Sequence, residues 1–396
     1  MEGKSDYNYE KDIGEVTGVP PWYRDVYREN RKLIGLSQEQ QEVIATNRDA
    51  DALTYGLLRF PNLRRVVVSP AAHGMPGRPF YATPSIRSLP RRLLYPIPRG
   101  WPITKCHDNY PEAEAWDGPE KDKWRGYCLV SRIIAQHLRE NPGSKLADLV
   151  TDTNQLRTGI SCRIFDEAEN SERRDLITIL SQPGFSRLDL SLYCANQHEV
   201  NWSSFRSGHL RNTLARATSI KRISLFTNIA VPGELDDPDE DGEEHFIPLR
   251  NVFPVDDWHQ LRHFGLCRFI VKKDNVVEFL GALPPTLGSV ELSFLIFLPD
   301  QGDYHALMQN MREKLDWCER RPEDQPKIRV RVDVDYERIL GAVLMDISRE
   351  VANFMYHDGE NPFDEDEGWG WFTEIPPGVG MLLDAFDSES ESEMRR

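Results

Sequence analysis

The sequence has little in it that names a chemistry. No window of eighteen apolar residues occurs anywhere in the 396 residues, which excludes a membrane-spanning helix of ordinary kind. The opening stretch MEGKSDYNYEKD lacks the apolar core of a secretory signal, so export by that route is not expected. The six cysteines, at 106, 128, 162, 194, 267 and 318, contain no C-x-x-C pair, which argues against a zinc ribbon or a small disulfide framework. Buried reduced thiols in an intracellular protein, cytoplasmic or nuclear, are the expectation.

Enzyme signatures are equally scarce. No serine stands in G-x-S-x-G. Gly3-Lys4-Ser5 matches only the end of a phosphate loop, and the motif's first glycine would precede Met1. Gly378 and Gly380 begin a dinucleotide fingerprint that Leu383 fails to complete. His259, His263 and Cys267 recur at steps of four, a metal spacing only if they share a helix. The apolar pattern puts His263 to Cys267 on a strand, where a rise of about 3.3 Å per residue separates them by roughly 13 Å, too far for one zinc. No catalytic, cofactor-binding or metal-binding residue is therefore assigned, and the reading is non-enzymatic.

Charge is unevenly spread. The net charge is −16, yet Glu234 to Glu244 holds eight acids and no base, and His357 to Arg396 holds twelve acids against two bases. The remainder carries +2. Acid runs in water have no means of perturbing a carboxyl pKa, so they read as solvated loop and tail rather than as catalytic pairs. Trp369, Trp371 and Phe372 lie among the tail's acids, and that segment is expected to fold back on the rest. Arg87, Arg91, Arg92 and Arg99 are too few and too interrupted for a nucleic-acid stripe. Neither nucleic acid nor a membrane is expected as partner.

What the chain does have is one phrase used repeatedly. Leu63-x-x-Val66-x-Val68 is followed by Phe185-x-x-Leu188-x-Leu190, Ile220-x-x-Ile223-x-Leu225, Leu261-x-x-Phe264-x-Leu266 and Leu287-x-x-Val290-x-Leu292. Lys327-x-x-Val330-x-Val332 is a degraded sixth copy. On a strand the fourth and sixth residues point to one face while the first turns in from the preceding corner, so each phrase sends three apolar groups into one core. Helical stretches precede most copies, at 173–180, 205–217, 275–283 and 304–317. A short strand alternating with a helix cannot cover its apolar face alone, but stacked copies can.

The expected fold is therefore α/β, an irregular leucine-rich-repeat-like solenoid. Residues 1–20 read as disordered. Residues 21–160 form a helical and Pro-rich part that includes the first repeat strand, with Ser69 to Pro102 an ordered loop. Residues 161–356 form the array, interrupted by the acidic loop 234–244 and closed by an amphipathic capping helix over Tyr336 to Tyr356. Residues 357–396 are the acidic tail. On such an array the third, fifth and seventh residues of each phrase face outwards. Among them Arg65, Arg187, Asp189, Arg222, Ser224, Phe226, His263, Ser289 and Glu291 are the candidate partner-binding residues. Five strands about 4.8 Å apart make a face of roughly 400 Å², half of the roughly 800 Å² a specific interface takes from each partner, so loops must share the contact.

Longer phrases carry a resemblance. DALTYGLLRFPNLRRVVVSPAAHG, YATPSIRSLP, YPIPRGWP, PGFSRLDLSL, SSFRSGHLRNTLA, PLRNVFPVDDWHQLRHFGLCRF and LPPTLGSVELSFLIFL resemble a family of F-box and leucine-rich-repeat proteins of filamentous fungi, from about Pro21 to about Val334. The resemblance implies a substrate-recognition architecture related to the receptors of SCF-type ubiquitin ligases. The L-P-x-E-like start by which such receptors dock onto the ligase adaptor has no counterpart in the first fifty residues, which leaves ligase subunits doubtful as partners. The functional expectation is a protein-recognition scaffold. One alternative is a regulatory module whose acidic loop and tail engage a basic partner, and another is an enzyme of unrecognised class.

Overall fold

The computed structural model of the chain describes residues 38–70, 101–102, 113–153, 157–229, 242–334, 343–363, 375–376 and 378–382. The readings of the N-terminus, the Pro-rich loop, most of the acidic loop and the aromatic-acid segment of the tail lie outside these residues.

Each apolar phrase begins or spans a strand. In chain order the strands are β1 (Arg65–Val68), β2 (Asp148–Thr151), β3 (Ile160–Ser161), β4 (Arg187–Tyr193), β5 (Arg222–Thr227), β6 (His263–Cys267), β7 (Ile270–Val271), β8 (Ser289–Ser293), β9 (Ile296–Phe297), β10 (Lys327–Arg329), β11 (Arg331–Val334), β12 (Val343–Asp346) and β13 (Met381–Leu382). The main helices are α1 (Arg48–Arg59), α2 (Arg125–Glu140), α3 (Ser171–Leu180), α4 (His209–Leu214), α5 (Leu249–Val252), α6 (Lys273–Gly281), α7 (Tyr304–Lys314) and α8 (Ser348–Tyr356).

One mostly parallel sheet organises the chain. Its order is β1-β2-β4-β5-β6-β8-β10, the order of the sequence, with β3 added beside the end of β4. The pairings along this path are all parallel. The sheet runs without a break across residue 160. The fourth and sixth positions of the central phrases lie in register from strand to strand, Leu188 opposite Ile223, Phe264 opposite Val290, and these four are fully buried. The first positions Phe185, Ile220, Leu261 and Leu287 are buried at the corners. Corners repeat as well: the carbonyls of Arg64, Ala147, Ser186, Lys221 and Arg262 each accept two successive N–H donors from the start of the next sheet strand. Such sharing satisfies the backbone of an abrupt bend at every step.

Helices form the second layer. Each helix of the series α1 to α8 touches the next, so the helix layer follows the same order as the sheet. The core between the layers is most aromatic beneath β6, where Phe264 meets Phe253 and Phe279 at centroid distances of 5.0 Å each. Trp124, Trp202, Trp258 and Trp317 are all fully buried. Two helices begin on a polar cap: Asn170 accepts from the N–H groups of Glu172 and Arg173 at the start of α3, and Asp303 accepts from Ala306 at the start of α7.

Three expectations need correction. A strand was missed: β2 carries Leu146-x-x-Leu149-x-Thr151, and the threonine in the sixth position hides the phrase. The last copy is displaced by two residues, because Ile328 and not Val330 lies opposite Val290. Val330 and Val332 are nonetheless fully buried, which is why the pattern reads equally well in either frame. The helix expected over 336–356 is shorter: Val343–Asp346 forms β12, antiparallel to β11, and helix begins only at Ser348. Steps of four also keep residues on one face of a strand, so periodicity alone cannot separate the two.

Glycine 159 fixes how closely β3 approaches β4. A Cβ there would lie 2.5 Å from the backbone of Ser191 and Leu192, and its carbonyl accepts the indole N–H of buried Trp124 at 2.8 Å. Gly159→Ala is expected to unseat β3 and to cost about 2–3 kcal/mol, read as a lowered urea midpoint at unchanged slope.

Candidate functional site

The strand residues that do not point into the core form three rows across the other face of the sheet. Register sets the first as Arg65, Asp148, Arg187, Arg222, His263, Ser289 and Lys327. The second is Val67, Val150, Asp189, Ser224, Gly265, Glu291 and Arg329, and the third includes Ser191, Phe226, Cys267 and Ser293. Period-two alternation thus brings all nine candidate residues onto one face.

They are not the open row that the sequence suggests. Arg187, Asp189, Ser224 and Glu291 are buried, the last at 1% exposure. Arg222, Phe226, His263 and Ser289 are half-buried, and Arg65 alone of the nine is exposed. The physical reason is pairing between neighbours less than 5 Å apart: cross-strand ion pairs draw the arginine stems down along the sheet, where they cover one another and the acids. Arg65 binds Asp148 at 3.1 Å. Arg187 donates to Asp189 through Nε and a terminal nitrogen at 2.9 and 2.5 Å, and Arg222 approaches the other oxygen of Asp189 at 3.8 Å. Glu291 is held by Arg331 and by the Ser293 hydroxyl at 3.1 Å. Gly265 leaves space for this network: a Cβ there would meet the Ser224 Oγ at 2.8 Å.

The field of the face is positive. Arg65, Arg187, Arg222, Lys327, Arg329 and Arg331 face three carboxylates, Asp148, Asp189 and Glu291. Burial raises the Glu291 pKa, but Arg331, Arg329 and the Arg331 hydrogen bond outweigh it and hold the carboxyl below its ordinary range. His263 responds in the opposite sense. Burial first, then Arg222, and in smaller measure Arg329 and Arg187, push its pKa down to about 3 against the pull of Glu291. The ring is therefore neutral at pH 7, with Nδ1 at 2.8 Å from the Ser289 hydroxyl and Nε2 buried without a hydrogen-bond partner.

At the ends of the strands a second charged group closes the face. Asp333 of β11 bonds Arg268 at 2.9 Å and lies 3.7 Å from Arg157, which precedes β3. Arg268 and Phe294 occupy the matching positions after β6 and β8, and both take the left-handed conformation, φ 52° and 54°. The Arg268 guanidinium stacks on the Phe294 ring at 4.5 Å. Sequence reading passed over Arg157, Arg268, Lys327, Arg329, Arg331 and Asp333. Three of these, Lys327, Arg329 and Arg331, belong to the degraded sixth copy, from which no outward-facing residues were read.

His263 to Cys267 lie on a strand, β6, so the steps of four do not gather into a ligand set. Among the described residues no group of three or more histidines, cysteines and acids stands close enough to hold a metal ion, and no helix is long and apolar enough to cross a membrane. The arrangement can do electrostatic recognition: it fixes guanidinium groups in place and keeps one imidazole neutral. No protein-family model matches the chain, and searches of curated proteins and of solved structures return no match.

Proposed function

We propose that the chain is a non-catalytic protein-recognition scaffold, a leucine-rich-repeat-like solenoid that binds an acidic stretch of a partner protein on its row-bearing sheet face. The observation that carries this reading is the excess of cations over carboxylates on that face of a chain whose net charge is −16. In-order parallel strands, a continuous helix layer and repeated corner bonds support the solenoid. The resemblance to fungal F-box and leucine-rich-repeat proteins points the same way, toward a substrate receptor without a recognisable F-box.

The buried members Arg187, Asp189 and Glu291 set the framework. The reachable members Arg65, Arg222, Phe226, His263, Ser289 and Lys327 meet the partner. A guanidinium fork matches a carboxylate bidentately, whereas a nucleic acid calls for an unbroken stripe of positive charge that Asp148, Asp189 and Glu291 interrupt. The chain's own acidic segments compete for the same face in this reading.

A fluorescent peptide rich in aspartate and glutamate is expected to bind the full chain, more weakly as salt is raised. Arg222→Gln combined with Lys327→Glu is expected to weaken it about tenfold or more, the equivalent of about 1.4 kcal/mol, measured where circular dichroism shows both proteins fully folded. Unaltered affinity in that variant would overturn the proposal.

A further inference from the structure

We propose that Cys162 and Cys194 are a latent disulfide, reduced in the structure described above and closed when the surrounding thiol–disulfide balance turns oxidising. The evidence is geometric and separate from the charged face. β3 pairs with β4 in parallel, Ile160 opposite Leu192 and Ser161 opposite Tyr193. Cys162, which opens a 3-10 turn over Cys162–Phe165, and Cys194 are the residues that immediately follow this last pair. Adjacent strands lie about 4.8 Å apart, inside the Cα separation of roughly 4.4–6.8 Å that a disulfide spans.

Both residues follow fully buried strand positions, Ile160 and Leu192, by two residues. They are buried, at 0% and 2% exposure; the Cys194 Sγ–H donates to the Leu192 carbonyl oxygen at 3.6 Å, and the two thiols lie close enough to interact. The chain beyond Cys194 is held by Asn228, whose side-chain oxygen accepts the Cys194 N–H at 2.5 Å. Both cysteines are free. The other described thiols have no such counterpart: Cys128 lies on α2, Cys267 in the charged face of the sheet and Cys318 at the surface.

Closure with glutathione disulfide as oxidant balances as follows. One cysteine thiolate attacks the glutathione disulfide and expels one glutathione thiolate, which takes up the proton lost. The second cysteine thiolate then attacks the mixed disulfide and expels the second. Two cysteine S–H bonds and one glutathione S–S bond are exchanged for one protein S–S bond and two glutathione S–H bonds. Burial holds the Cys194 thiol far above its ordinary pKa, so exchange proceeds through local opening of β3. The product staples β3, and the Arg157 that precedes it, to the centre of the sheet.

The test uses the full chain equilibrated with mixtures of oxidised and reduced glutathione, quenched in acid, alkylated and digested with trypsin without reduction. The expected product is peptide 158–163 joined to peptide 188–206, lighter by about 2 Da than the sum of its parts. Hydrogen exchange across 157–165 should slow at least tenfold on oxidation, and Cys162→Ala should remove both effects. Exposed Cys318 reports that the oxidant has acted. Glutathione on Cys318 with Cys162 and Cys194 both alkylated would overturn the proposal, as would linkage of Cys194 to any other cysteine.

Discussion

Replacing Glu291 with alanine is expected to destabilise the protein by about 3–5 kcal/mol, the range for breaking a buried ion pair by removing one partner. Glu291 is 1% exposed, and against the burial that disfavours its charge Arg331 and Arg329 are the leading groups that hold it ionised. The double substitution Glu291→Met with Arg331→Met is expected to recover most of the loss, because an apolar pair of similar volume carries no desolvation penalty. Urea unfolding of the two single variants and the double variant gives the coupling energy directly. A coupling near zero would mean that the two side chains do not share the site.

Acid is expected to weaken the fold well before the carboxylates protonate. His263 has a folded pKa of about 3 against about 6.5 for an unperturbed histidine. Between these values the unfolded chain binds a proton that the folded chain refuses, so stability is fully present above about pH 6.5 and falls as pH drops toward 3. Burial imposes this first, then Arg222 on β5, with Arg329 on β10 and Arg187 on β4 adding to it and Glu291 on β8 opposing. Glu291 adds to the loss at lower pH, since its depressed folded pKa makes its contribution present above its unfolded value and lost as pH falls through the folded one. The unfolding free energy measured from pH 7 to pH 4 should fall by a few kcal/mol, on the order of one per pH unit. His263→Asn should flatten that slope. A wild-type profile already flat across this range would contradict the buried, neutral imidazole.

Much of the sheet was readable from residues alone because its strands announce themselves by a phrase with two apolar positions two apart and a third at the corner. Phe185, Ile220, Leu261 and Leu287 each mark a bend that the structure repeats. The missed strand β2 shows the limit: Thr151 occupies a sixth position and donates its hydroxyl to the Asp189 carbonyl at 2.9 Å, a polar solution to a place that the pattern reserves for an aliphatic side chain. The displaced copy at Lys327 fails for a different reason. β10 passes directly into β11, so valines continue past the repeat and the alternation gives no sign of where one sheet ends and the next begins.

The candidate face was legible in position and not in exposure. Alternation alone places Arg187, Arg222, His263 and Glu291 side by side, since strand register follows from the buried positions. Their burial follows from ion pairs, Arg187 with Asp189 two residues along β4 and Glu291 with Arg331 of β11, and no local pattern encodes which long side chain lies down upon which acid. Arg157 and Asp333 are 176 residues apart in the chain and meet only because the ends of the strands share one side of the array.

The central claim is that recognition resides in the positive sheet face and not in the acidic segments. Titrating the full chain and a variant lacking residues 357–396 with one acid-rich and one lysine-rich peptide separates these alternatives. The account predicts that the acid-rich peptide binds both proteins, at least as tightly when the competing tail is gone, and that the lysine-rich peptide does not distinguish itself at physiological salt. Tight binding of the lysine-rich peptide that disappears with the tail, together with no binding of the acid-rich one, would contradict it.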